Sequence, residues 1–261
     1  MTQHAPHPLP PSQRLRLEGR SGDFPFYNGR PVALSAAQWL LVMAGVVAGF
    51  AALIAPLPWP AGVAGTLAPA VLFVALPLAA LARVAPHHWR TVFGRVGARE
   101  LRLMVGFALL NVVISMSIGS LVRSFSDVTN NAAAGQLLAM DTTERLTFFA
   151  KTLPQLLGEE LITLLPFLAL MALLTQRFGL GRRQAVLLAW GVSSLLFGLI
   201  HLPTYGWNLV QCIVIIGSAR LVLTLPWLLT KNIWVSTGAH ILNDWLLFGL
   251  GLLGARLAAS A

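Results

Sequence analysis

Apolar runs of about 20 residues recur along this 261-residue chain, each long enough to cross a bilayer as a helix at about 1.5 Å per residue. The alternating pattern of about ten residues per strand that marks a membrane barrel is absent, so the expected fold is an all-α polytopic transmembrane helix bundle. Composition agrees with that reading. Hydrophobic residues make up 56% of the chain and charged residues 10%, and mean hydropathy is +0.74, too little polar surface to cover a soluble globule. Spans are expected near 38–57, 61–82, 103–122, 146–175, 184–202, 207–229 and 232–253, seven in all.

Residues 1–36 are rich in Pro and Arg and lack an apolar run. They read as a disordered cytosolic tail rather than a cleaved signal peptide, with the first apolar segment retained as an anchor. Residues 37–102 then read as two N-terminal helices with a cytosolic loop, and 103–255 as the functional core. Net charge is +9, yet the arginines gather before the first span, between the second and third, and after the fourth. That is the distribution that orients a membrane protein, and it requires no nucleic acid partner. It predicts a cytosolic N-terminus, and the richness in Ala and Arg beside only two lysines, Lys151 and Lys231, fits a bacterial plasma membrane. The single Cys212 cannot form an internal disulfide and reads as packing.

Ionisable groups inside spans are costly, about 2.5–3.5 kcal/mol each on insertion scales, and by default mark function. Of nine acidic residues, Glu159, Glu160 and Asp244 lie well inside expected spans; of six histidines, His201 and His240 do. Adjacent helix positions diverge by about 100°, so Glu159 and Glu160 cannot both face one target, and one is expected to be catalytic and the other structural. His240 and Asp244 share a helix face, as do His240 and Asn243, and Phe197 sits one turn before His201. A histidine or glutamate pair of this kind also serves in helix packing or in ion coupling. Three separate segments converging with polar side chains favour a buried active site.

The pattern Glu159-Glu160, Phe197-xxx-His201 and His240-xxx-Asp244 resembles the signature of the CAAX protease and bacteriocin-processing (CPBP, or Abi) family of intramembrane endopeptidases, which includes the type II CAAX prenyl proteases. The wording Lys231-NIWVSTGAHIL-Asn243 before the last motif is similar too. The resemblance covers roughly residues 100–250. It implies that Glu159 with His201 activates water, that His240 and Asp244 hold the developing oxyanion, and that the substrate is a peptide or protein at the membrane. Family members often have eight spans. Either a metal-independent glutamate mechanism, favoured here, or Zn²⁺ held by Glu159, His201, His240 and Asp244 is compatible with these residue types. The chain has no HExxH helix.

Two departures from the family pattern stand out. Leu164 occupies the place of the family's usual Arg, four residues after Glu160, so Glu160 needs another counterion; Arg220 in the sixth span is the expected substitute. Asp244 stands where Asn is common, and an ionised Asp cannot donate to an oxyanion, whereas Asn243 can. Seven single crossings also set His201 near the outer end of its span and His240 roughly 13 Å from the opposite end of its own. A continuation of the fifth helix past Pro203, or a break near Gly217 or Pro226, would remove the mismatch. The rival readings are a proton-coupled transporter and a non-catalytic membrane partner or immunity protein.

Overall fold

The computed structural model describes residues 14–18, 22–129 and 131–260. Eight α-helices follow in order: α1 Ala36–Ile54, α2 Val63–Val84, α3 Ala98–Arg123, α4 Ala132–Ala139, α5 Thr142–Ala172, α6 Arg182–Ile200, α7 Gly217–Thr230 and α8 Ile233–Ser260. No strand occurs among the described residues. Both α1 and α5 begin with a capping box, Ser35 with Gln38 and Asp141 with Glu144, so that exposed N–H groups at each start are bonded by side chains.

Six helical segments are long and apolar enough to cross a membrane, α5 running to Arg177 and α7 including the turn from Gln211. They correspond to the first six expected spans. The seventh, 232–253, falls in α8, a continuous helix of 28 residues that is not among the six; Ser236, Thr237, His240, Asn243 and Asp244 dilute its apolar character. Of the six, α5 is the most buried, and it packs against α1, α2, α6 and α8. Several local features were not resolved by sequence, among them these two. A short helix, α4, follows the third span, and a π-helical turn, Gln211–Ile216, leads into α7.

Long-range side-chain bonds define the two ends of the bundle. At one, Asn232 accepts from the Gly94 N–H at 2.9 Å and donates to the Arg95 carbonyl at 3.0 Å, and Gln176 donates to the Tyr27 carbonyl. At the other, Gln211 clasps the backbone of Thr129, accepting from its N–H at 2.8 Å and donating to its carbonyl at 2.9 Å, while Asn208 donates to the Asp127 carbonyl.

The N-terminal segment corrects the sequence reading. Residues 1–13 and 19–21 lie outside the described residues, but Phe24, Phe26, Tyr27 and Leu34 are buried in the main core. Phe24 meets Phe167 edge to face at 5.2 Å between centroids and lies 6.2 Å from Trp227. The Arg182 guanidinium forks onto Glu18 at 2.7 and 2.6 Å and reaches Asp23 at 2.8 Å. Lys231 stands 3.4 Å from Glu18 and 4.8 Å above the Phe24 ring. The physical reason is that three aromatics supply apolar area and two acids supply the counter-charge that Arg182 and Lys231 need at a buried helix end. The basic run before them obscured both.

Burial alone would raise the Glu18 carboxyl, but the Arg182 fork, the Leu15 N–H and Lys231 outweigh it and hold the group below its ordinary value of 4.5. A carboxyl depressed by folding stabilises the protein above its unfolded value and loses that contribution as pH falls through the folded one. Glu18→Gln is therefore expected to lower the unfolding temperature in detergent near neutral pH, with the gap to wild type closing below about pH 4.5. Arg182→Ala, which strands Glu18 and Asp23, is expected to cost about 3–5 kcal/mol in the same assay.

Candidate active site

Glu159 and Glu160 sit near the middle of α5, and Gly158 allows a close neighbour beside them. A Cβ at Gly158 would collide with the Phe73 ring of α2, so glycine lets α2 press against α5 at this level. Gly198 does the same on α6, where the Cys212 carbonyl of the π-helical turn occupies the space of a side chain. Cys212 itself is buried and has no disulfide partner.

Glu160 is fully buried and faces α7 and α8. Arg220, equally buried, donates to both its oxygens, Nη1 to Oε1 at 2.7 Å and Nη2 to Oε2 at 2.9 Å. The counterion expected from another helix in place of Leu164 is therefore present. Arg220 is itself fixed by Nε donating to Thr224 at 3.2 Å and by the Phe197 ring 5.0 Å beneath its guanidinium. His240 Nδ1 meets Glu160 Oε1 at 2.9 Å. A carboxylate only accepts, so Nδ1 carries the proton, and in the neutral ring Nε2 is left with its lone pair.

That Nε2 looks into a gap between two further carboxylates, 3.8 Å from Glu159 Oε2 and 3.8 Å from Asp244 Oδ1. Neither distance is a hydrogen bond. A single water bonded at about 2.8 Å to two of these atoms fits such a separation. Glu159 is held by Gln155, whose amide donates to Oε1 at 3.2 Å. Asp244 accepts from Asn243 at 2.9 Å. Glu159 and Glu160 thus divide as helix geometry demands: one faces the gap and the other anchors the imidazole from behind.

His201 stands at the end of α6, its Nδ1–H donating to the Phe197 carbonyl at 2.7 Å. Among the described residues no hydrogen bond joins it to Glu159. The Phe197 ring bridges the two histidines, 4.6 Å from His201 and 6.2 Å from His240 between centroids. The depth mismatch foreseen from seven simple crossings does not arise. The α7–α8 turn is buried, with Lys231 9% and Asn232 4% exposed, and the N-terminal segment packs against it.

Sequence reasoning missed Tyr205. The short 3-10 turn Pro203–Tyr205 follows His201, and the Tyr205 ring stacks 6.5 Å from the imidazole. Its hydroxyl is pushed up to about 12, first by burial and then by the charges of Asp244 and Glu159, and Asn131 donates to it at 3.4 Å. The spacing of four from His201 was the only signal in the sequence. A cavity of about 550 Å³ lies between α3, α5 and α8, walled by Met104, Leu157, Trp234, Thr237 and Ile241 among others.

Residues 142–246 match the model of the Rce1-like family, described as type II CAAX prenyl endopeptidase. This agrees with the resemblance to the CPBP family, and the matched segment contains Glu159, Glu160, His201, His240 and Asp244. No curated protein and no solved structure matches the chain. Zn²⁺ was the alternative cofactor on sequence grounds; among the described residues no three His, Cys, Asp or Glu side chains converge as a metal-ligand set.

Removing Arg220 strands a fully buried carboxylate, so Arg220→Ala is expected to destabilise by about 3–5 kcal/mol in thermal or denaturant unfolding. Exchange of the charges, Arg220→Glu with Glu160→Arg, should recover part of that loss. An Arg220→Ala protein as stable as wild type would show that the pair is not required.

Proposed function

We propose that the chain is an intramembrane endopeptidase that hydrolyses peptide bonds of membrane-embedded or membrane-adjacent substrates by a glutamate-activated water. The observation that carries this reading is the gap bounded by Glu159 Oε2, His240 Nε2 and Asp244 Oδ1. Among the described residues Glu159 pairs with no Lys or Arg, so its carboxylate is available as a base, whereas Glu160 is engaged by Arg220 and His240. The match of residues 142–246 to a peptidase family supports the same class of reaction.

In this mechanism water lies between Glu159 and the imidazoles and gives its proton to Glu159 as oxygen adds to the scissile carbonyl. His201, whose Nδ1–H is spent on the Phe197 carbonyl, keeps Nε2 as an acceptor for the second water hydrogen. His240 is held in one orientation by Glu160, and in its doubly protonated form it donates from Nε2 to the oxyanion. Asp244 stabilises that cation from 3.8 Å. Collapse of the tetrahedral species expels the amine, which takes the proton from Glu159. The reaction needs no metal. The apolar cavity between α3, α5 and α8 offers room for a hydrophobic part of the substrate on the bilayer side. The orientation expected from the arginines puts the N-terminal segment in the cytosol of a bacterial cell.

Purified protein is to be tested on membrane-tethered peptides in detergent, with cleavage followed by mass spectrometry. Glu159→Gln and His240→Ala are each expected to reduce the rate by about 10²–10⁴, with His201→Ala also impaired and a strong chelator without effect. Loss of cleavage under chelator would turn the reading to a metalloprotease. Undiminished cleavage by Glu159→Gln would sink the proposed base, and a wild type that cleaves nothing would favour a transporter or a non-catalytic partner.

A further inference from the structure

One polar residue far from the matched segment is wired into the gap. Asn111, on α3, is fully buried and donates from Nδ2 to Asn243 Oδ1 at 3.0 Å; Asn243 in turn donates from Nδ2 to Asp244 Oδ1 at 2.9 Å. The direction of this chain is fixed by its last member. Asn243 turns its NH₂ to Asp244 and its oxygen to α3, and Asn111 presents its own NH₂, the arrangement that a carboxylate accepting at the end of the chain calls for. Among the described residues the Asn111 oxygen is then left buried without a hydrogen-bond partner, a desolvation cost that an apolar residue at this site would avoid.

Neighbouring contacts keep the two helices close enough for this. Gly238 of α8 lies against the Met104 side chain of α3, and a Cβ there would meet the sulfur at about 2.5 Å. Asn111 and Asn243 are 132 residues apart in sequence, and Asn111 precedes residues 142–246, so the family match does not reach it.

We propose that Asn111 is a positioning residue: acting through Asn243, it holds the Asp244 carboxylate at the edge of the gap, off the His240 imidazole. This inference rests on the peptidase reading for its effect on rate but not for the relay itself. Without the relay, Asp244 Oδ1 is free to close the roughly 1 Å by which its 3.8 Å separation from His240 Nε2 exceeds a hydrogen bond, and so to take the place on that nitrogen that water or the substrate carbonyl needs. Asp244 is also faced by Glu159 from α5, His201 at the end of α6 and Tyr205 beyond it, whose charges and dipoles the same movement would unbalance.

The test uses Asn111→Leu, which keeps volume but removes the donor, with Asn111→Ala as the alternative should leucine not fold. In protein carrying ¹³C-aspartate, the Asp244 carboxylate band, one of four aspartate bands, is identified in the infrared by its disappearance in Asp244→Asn. Both Asn111 variants are expected to shift that band. They are also expected to lower kcat roughly tenfold with KM unchanged, and Asn111→Leu with Asn243→Ala should be no slower than Asn243→Ala alone. An unmoved band overturns the relay whether or not the protein cleaves peptides. A shifted band with full kcat, or additive losses in the double variant, overturns the positioning role. Wild type that fails to cleave any peptide counts against the peptidase reading alone, and the band still decides the relay.

Discussion

Arg220 and Glu160 meet where neither retains any contact with water, and the remaining polar geometry of the core is built outward from them. The guanidinium occupies both oxygens of the carboxylate, which leaves Glu160 committed as an acceptor and lets it take one more bond, from His240. That bond decides which ring nitrogen faces the gap. Desolvating two ions is expensive and a hydrophobic pair of the same volume would often be as stable, so the pair is better understood as specifying an arrangement than as holding the bundle together. It joins α5 to α7 and, through His240, to α8, three helices that van der Waals packing alone could assemble in more than one rotation.

The sequence made the all-helical class, the first six spans and the membership of the polar cluster legible, because apolar run length and the rarity of ionisable residues are one-dimensional signals. Glu159, Glu160, His240 and Asp244 do converge, and the Arg220 partner followed from the absence of the family's usual Arg at Leu164 together with the need of a buried carboxylate for a counterion. His201 reaches the cluster by way of Phe197 rather than by bonding Glu159, a difference that spacing along one helix cannot encode. Tyr205 and Asn111 were not legible, since a buried tyrosine or asparagine is chemically unremarked until its neighbours are known. The tail was misread for the opposite reason: charge and proline in 4–20 dominated a segment whose outcome is set by Phe24, Phe26 and Tyr27.

The apparent mismatch in depth has its origin in an assumption about turns. A chain that enters at one face and turns at the other is assumed to expose its turns, and the α7–α8 turn does not. Lys231 and Asn232 are buried, bonded to Leu228, Gly94 and Arg95 and approached by Glu18. The N-terminal segment packs against this turn and carries the acids that balance its lysine. Helix α8 begins inside the protein, and the His240 ring lies 6.2 Å from that of Phe197.

The π-helical turn at Gln211–Ile216 has a consequence for how the chain tolerates length changes. A π turn holds about one residue more than the α-helix it interrupts, and removing that residue would rotate one side of the helix against the other by about 100°. Gln211 on one side is committed to the backbone of Thr129, and Arg220 on the other is committed to Glu160. A one-residue deletion here could keep the outer loop fastened or the buried ion pair closed, but not both. The extra residue acts as a fixed phase offset between two independent anchors, and it ties the count of this short stretch to both of them.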